Sequence, residues 1–306
     1  MAESEEAIRE QIKSTQRAMV QELVEAAKKP SFNVPKPSLL MFGRESTEGY
    51  WRYMDHVGWD LEAALRLLQS AYDWQSKMGP AVQGILKNLF AKNPGYLSLR
   101  QVGFDRIGKP VLYCCFAQNQ AKPADLGVDS IIALFAHVAE HAGKSSLQKD
   151  VEEDGRKCVV VLDCTGFDAR LFSKPELTLK VYQTLCLIYP GVIDSVMVLN
   201  YTQEIRNTWS TLKTSFSEEL NAKVKFVPTT GINATLNEQF GLELSQWLQA
   251  ELKLNKDEPL TASQIAFYKK NASHDPRGSP VYVDNYLDKD GFVDGHQPHP
   301  GVLFGK

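Results

Sequence analysis

His137-Val-Ala-Glu-His141 carries the His-x-x-Glu-His spacing with which some hydrolases hold a zinc ion. Two imidazoles and a carboxylate on one helix would suit metal-assisted hydrolysis. The helical pattern around the motif argues against that chemistry. Ile131, Leu134, Phe135, Val138 and Ala142 form the apolar side, Glu140 points the other way, and His137 lies well off the stripe. The motif then occupies a solvated helix face with no third ligand assigned. A second spacing, Cys164 to Arg170 after a strand, would suit a thiolate and an arginine around a phosphate dianion. Here Asp163 stands where phosphatases with such loops carry His, and Asp168 would bring negative charge into the cradle. His296 and His299 sit among Pro and Gly, where a preformed metal site is not expected. No Gly-x-Gly-x-x-Gly or Gly-x-x-x-x-Gly-Lys-Ser/Thr loop follows a strand to cradle a nucleotide. The residues point to a non-enzymatic protein, with no catalytic group, no cofactor and no metal.

The elements that would position a site are clearest between Tyr189 and Val227. Pro190-Gly191 stops a helix, because proline cannot continue it and glycine accepts a positive φ. Val196 to Leu199 is an apolar run of strand length, suited to a buried parallel strand. Ile205, Trp209, Leu212, Phe216 and Leu220 then recur every three or four residues. At about 100° per residue they share one narrow stripe, which predicts an amphipathic helix over 203–220. Such a helix is either a crossover packed on its sheet or a lid over an apolar cavity.

Earlier in the chain, residues 4–29 predict a helix ended by Pro30, with Ile8, Ile12, Met19, Leu23 and Ala26 on one side. Its acidic and basic residues nearly balance, which favours packing on the domain over binding to an anionic membrane. Asp60 is a suitable N-cap for a helix over 61–78, which Gly79-Pro80 should end. The 97–116 stretch reads as a hairpin leading into a buried strand, 128–142 as a helix, and 157–163 as another buried strand. Residues 175–189 predict a helix, and 236–254 predict a closing helix. Strands alternating with helices imply a mostly parallel sheet. The fold class is α/β: a mostly parallel sheet with flanking helices, preceded by a small helical N-terminal region. Four segments follow: an amphipathic helix and linker (1–37), a helical region (38–96), a sheet domain (97–254) and an irregular C-terminal extension (255–306).

The composition is ordinary globular, 43% hydrophobic and 23% charged. A net charge of −3 and no basic cluster give no reason to expect a nucleic-acid partner. The N-terminus is acidic where a signal peptide is basic then apolar, and no apolar run is long enough to span a membrane. The five cysteines, without disulfide or zinc spacing, read as reduced and buried. Together these predict a cytoplasmic protein.

Several segments in order resemble the CRAL-TRIO lipid-binding family, which includes phosphatidylinositol-transfer, tocopherol-transfer and retinaldehyde-binding proteins. GWDLEAALRLLQSAYDW (58–74) is similar to its N-terminal helical region, IGKPVLYCCF (107–116) to its Gly-Arg-Pro-Val strand entry, and VVVLDCTGF (159–167) to its Asp-x-x-Gly strand end. Tyr189-Pro190, Asn200, Trp209 and the KVKFV strand (223–227) are similar to its Tyr-Pro, Asn, Trp and Lys-Pro-Phe succession. The resemblance spans roughly residues 39–250. Gln75, Thr202 and Thr214 depart from the family's usual Arg and prolines. Asn207 and Ser210 align where phosphatidylinositol-binding members carry Thr and Lys.

The resemblance implies a lipid pocket between sheet and helices, closed by the 203–220 lid. Apolar candidates to line it are Tyr113, Phe116, Leu134, Phe135, Val138, Val161, Tyr182, Leu185, Met197, Trp209 and Leu212, with Asn207 and Ser210 near the head group. Trp209, Lys213 and Phe216 would be the gate that meets the membrane. The expected function is binding of a phospholipid, sterol or similar hydrophobic ligand and its transfer between membranes, by a protein only transiently at their surface. Inositol phospholipid is not expected to be preferred, because Asn207 and Ser210 are neutral. The alternatives are a regulatory or scaffold module with a reduced pocket, or a zinc hydrolase built on His137, Glu140 and His141.

Overall fold

Alternating apolar side chains on three consecutive strands give this chain a sheet buried on both faces. The computed structural model describes residues 2–29, 48–92, 99–116, 129–132, 135, 139, 142, 157–167 and 175–257. The helices described end to end are α1 (Ala2–Ala27), α2 (Glu48–His56), α3 (Leu61–Lys92), α4 (Pro175–Ile188), α5 (Gln203–Leu212), α6 (Glu218–Lys223), α7 (Ile232–Gln239) and α8 (Leu242–Asp257), and residues 129–132, 135, 139 and 142 are also helical. The strands are β1 (Arg100–Phe104), β2 (Pro110–Cys115), β3 (Cys158–Asp163), β4 (Ile193–Leu199) and β5 (Val224–Phe226).

β1 and β2 form an antiparallel hairpin, and its Asp105 Oδ1 accepts the N–H groups of Ile107 at 3.0 Å and Lys109 at 2.8 Å. β2, β3, β4 and β5 are parallel, and strand order in the sheet equals chain order. The sheet is therefore mostly parallel, as the alternation of elements predicts. Because the order never reverses, there is no crevice between diverging crossovers, where open α/β sheets commonly hold ligands at their strand ends.

The helical connections instead gather on one face. Ile132, Phe135, Ala139 and Ala142 between β2 and β3, Ile188 of α4 between β3 and β4, and Ile205 of α5 between β4 and β5 share one core. The sheet side of that core is Leu112, Cys158, Val160, Val196 and Val198. The intervening strand residues, Val111, Tyr113, Cys115, Val159, Val161, Met197 and Leu199, turn to the opposite face. There Leu236 of α7, Trp247 and Leu248 of α8 and the intervening Phe240 cover them.

The N-terminal helices form a third core. Val20, Leu23 and Ala27 of α1 pack with Tyr50, Trp51, Tyr53 and Met54 of α2 and with Ala64, Leu68 and Ala71 of α3. The packing role expected for α1 holds for its C-terminal half, whereas Ile8 and Ile12 are exposed. Asp60 caps α3, accepting the Ala63 N–H at 2.9 Å. Here α3 packs along α4, and the Tyr53 hydroxyl donates to the Ile188 carbonyl at 3.0 Å.

Three boundaries differ from the sequence expectation. α3 runs through Gly79-Pro80 to Lys92, since a proline within a long helix costs one hydrogen bond and need not end it when other contacts hold the turns. The closing helix is two helices, α7 and α8, separated by an extended Phe240 that bridges to Asp105. The amphipathic stretch over 203–220 is broken: α5 ends at Leu212, Lys213–Ser215 is a 3-10 turn, Phe216 is extended, and α6 starts at Glu218.

Candidate ligand pocket

Hydroxyl and amide side chains explain the break after Leu212. Ser210, Thr211 and Thr214 donate back to the carbonyls of Arg206, Asn207 and Thr211 at 2.9, 3.3 and 2.9 Å, a pattern that weakens and bends helices. Asn221 Nδ2 then reaches back from α6 to the Lys213 carbonyl at 2.9 Å and the Phe216 carbonyl at 3.4 Å. The start of α5 is held by Thr202, whose Oγ1 accepts the Ile205 N–H at 3.4 Å. The turn carries α6 back beneath the connection face, beside α2 and the entry to β4.

A cavity of about 60 Å³ lies there. Its apolar wall is Phe135, Leu185, Cys186, Tyr189 and Ile193, and its rim is His56, Gly191, Ser217, Glu219 and Lys223. Gly191 has φ +68°, the conformation its place after the α4 stop requires. Lys223 donates to Glu219, and that hydrogen bond, with the charges of Lys223, His56 and Lys157, holds the Glu219 carboxyl below the usual carboxylate range. The rim therefore combines an ammonium group, an imidazole, a hydroxyl and a carboxylate over an apolar floor. Such a site can take a small apolar group and hydrogen-bond or ion-pair a polar one at its mouth.

The expected lining residues do not meet in one place. Phe135 and Leu185 line the cavity. Phe116 packs on the same face, edge-on to Phe167 with centroids 5.1 Å apart. Tyr113, Val161 and Met197 lie on the other face, where the Tyr113 ring meets Trp247 of α8 at 5.9 Å, so for these three a shared cavity with Phe135 and Leu185 is corrected. The reason is strand parity: neighbouring residues of a strand point to opposite faces. Leu134, Val138 and the Tyr182 side chain lie outside the described residues, as do His137, Glu140, His141 and Arg170. Leu212 is buried, while Asn207 and Ser210 are exposed, Asn207 accepting from Gln203 at 2.9 Å and Ser210 bonded to its own helix. Neither is among the residues around the cavity described above. Trp209 stacks on Phe216 at 5.3 Å and tilts against Phe226 of β5 at 6.3 Å, half-buried, with Lys213 exposed beside it.

His56, Ser217, Glu219 and Lys223 were not legible as a group, since the fold assembles them from distant segments. The one signal was the four-residue spacing of Glu219 and Lys223, which pairs opposite charges on a helix.

At the other end of the sheet, Asp163 is fully buried. It accepts from Tyr113 Oη at 3.0 Å, Thr165 N at 3.0 Å, Thr165 Oγ1 at 2.7 Å and Asn200 Nδ2 at 2.9 Å. Asn200 has φ +50°, tolerable for asparagine, and turns β4 toward α5. The next residue, Cys164, is 5% exposed, and burial, with the charge of Asp163, pushes its thiol up to about 12. That is the wrong direction for a nucleophilic thiolate. Among the described residues no three His, Cys, Asp or Glu side chains gather as a metal site, and no helix is long and apolar enough to cross a membrane.

The model of the CRAL/TRIO domain matches residues 97–246. Solved structures that share the fold include the crystal structure of Sfh5, with a TM-score of 0.56 and 12% identity, over 74% of this chain and 83% of that one. No curated protein matches the chain. The match covers the whole of the sheet, α4 to α7 and the start of α8. The chain thus carries a CRAL/TRIO domain match over residues 97–246.

Proposed function

We propose that this protein binds one amphipathic lipid on the connection face of its sheet and carries it between membranes. The observation that carries the reading is the cavity walled by Phe135, Leu185, Tyr189 and Ile193, with Lys223 and His56 at its rim. An apolar floor with a few convergent polar groups is the usual form of a small-molecule site. The acyl part enters toward the floor, and a phosphate-bearing head group stays at the rim, where it competes with Glu219 for Lys223. Each buried CH₂ contributes about 0.8 kcal/mol, so an acyl chain leaves a bilayer only for an equally dry cavity. At about 60 Å³ the cavity holds part of a chain, so loading requires displacement of the helices above it. The segment 203–220 is the proposed gate, with Trp209, Phe216 and Lys213 meeting the membrane. Asn207 and Ser210 are exposed and do not line the cavity, so the head-group contacts proposed here are those of Lys223 and His56.

The same small volume favours a second reading, a regulatory or scaffold module that holds no lipid, since ligand sites conventionally run to some hundreds of Å³. Denaturing extraction of protein made in a eukaryotic host, followed by lipid mass spectrometry, separates the two. The carrier reading expects about one lipid per chain. Protein that yields no lipid and takes none from vesicles overturns it in favour of the scaffold.

A further inference from the structure

The apolar stripe of Ile205, Trp209, Leu212, Phe216 and Leu220 continues in sequence through a place where the helix does not. At about 100° per residue the five side chains would fall within a sector of about 80° on one uninterrupted helix. Arg206 and Lys213 would then share one shoulder of that stripe, where long cationic side chains reach the head-group layer of an anionic membrane. In the structure, Phe216 is extended and the stripe is split between α5 and the turn that follows. The break rests on a specific competition. In a continuous helix, the Lys213 carbonyl would accept the Ser217 N–H and the Phe216 carbonyl would accept the Leu220 N–H. Asn221 Nδ2 occupies those same two carbonyls, at 2.9 and 3.4 Å.

We infer that residues 203–220 are a two-state segment: broken and caught by Asn221 when the protein is closed, and one continuous amphipathic helix when it lies on an anionic lipid surface. This rests on the carrier reading above and names how its gate meets the membrane. Straightening the segment breaks the Asn221 catch and draws α6, with Ser217, Glu219 and Lys223, away from the rim of the cavity. Contact with the bilayer and opening of the cavity are then one movement. The gain at the surface comes from placing Trp209 and Phe216 in the interface together, and the cost is loss of the packing of Trp209 on Phe226.

Glu218 provides the decisive substitution. It is the first residue of α6, a position that tolerates proline. In a continuous helix it would be interior, where proline deletes a hydrogen bond and clashes with the preceding turn. The experiment uses the full chain and mixed phosphatidylcholine–phosphatidylserine vesicles. It measures vesicle affinity by co-sedimentation and hydrogen exchange at amides 217–220. Wild type should gain protection there on vesicles. Glu218→Pro should keep the urea midpoint, lose that protection and bind roughly a hundredfold more weakly, equivalent to about 3 kcal/mol. Glu218→Gln, which removes the same charge, should bind as wild type. Asn221→Ala, which releases the catch, should bind vesicles severalfold more tightly.

Equal binding by the proline and glutamine variants overturns the inference, as does an absence of vesicle-induced protection in wild type. If the proline variant fails to fold, unchanged binding by Asn221→Ala overturns it instead. A chain that yields bound lipid on extraction yet fails these tests loses only the two-state segment. One with neither lipid nor vesicle binding loses the carrier reading as well.

Discussion

The Tyr53 hydroxyl donates to the Ile188 carbonyl at 3.0 Å, joining α2 to the last turn of α4 from 135 residues away. It is a buried bond between the helical region and the sheet domain, made by a fully buried tyrosine. Tyr53→Phe keeps the ring and deletes the donor. The expected cost is about 1–2 kcal/mol, the range for leaving a buried acceptor without this partner. Urea unfolding followed separately by tryptophan fluorescence, weighted to the helical region, and by far-ultraviolet circular dichroism should still give coincident transitions. Divergent midpoints in the variant would mean that the contact couples the two regions rather than merely adding stability.

Trp209 and Phe216 are half-buried and stacked on each other, so neither is a full core residue. Truncation of either to alanine should cost about 1–2 kcal/mol, less than the roughly 3–5 kcal/mol of a fully buried aromatic. Transfer of lipid between vesicles, measured per folded molecule, should fall more than tenfold for both. A large stability loss with transfer unchanged would place them in a static crossover.

Asp163 distinguishes a need for charge from a need for acceptors. Asp163→Asn retains one oxygen for Thr165 and Asn200 and presents its amide to Tyr113 Oη, which can turn to accept. It should cost less than about 2 kcal/mol, whereas Asp163→Ala strands several donors and should cost more than about 3 kcal/mol. Equal losses in the two variants would contradict this account of the network.

Two carboxylates should move stability with pH in opposite senses. Lys223 holds Glu219 below its ordinary value of 4.5, so its contribution is present above that value and is lost as pH falls through the lower folded one. Lys223→Gln should flatten that acid limb. Asp105 is raised above 3.8, chiefly by burial, so its contribution is present below 3.8 and is lost as pH rises through the folded value. Asp105→Asn keeps the Oδ1 acceptor for the hairpin turn. It should match or exceed wild type at neutral pH while losing that advantage in acid. Urea midpoints across the range test both signs.

What the sequence made legible was local. The apolar runs of β2, β3 and β4, the Asp60 cap and the Pro190-Gly191 stop each depend on neighbouring residues, and each is where it was expected. The lining set failed where it depended on which face a strand residue takes. Apolar residues on both faces of a doubly covered sheet look alike in sequence, so Tyr113 and Leu112 could not be told apart. The stripe over 203–220 correctly identified an apolar face but not the break within it. That break is decided by side-chain hydrogen bonds from Asn221 that compete with the helix, a contest that periodicity does not register. The cavity rim was hidden for a third reason: His56 and Lys223 become neighbours only once α2 has docked against α4 and β4.

The order of the strands also has a consequence for synthesis. Among the described residues every strand and every crossover precedes α7 and α8, so at translation the connection face can be completed first. Until the last two helices emerge, Val111, Tyr113, Val159, Val161, Met197 and Leu199 remain a bare apolar wall. Roughly thirty residues separate the end of β5 from the end of α8, a few seconds of elongation at about 5–20 residues per second. A nascent chain stalled in that interval presents one finished side and one sticky side, and should be the form that ribosome-associated chaperones retain longest.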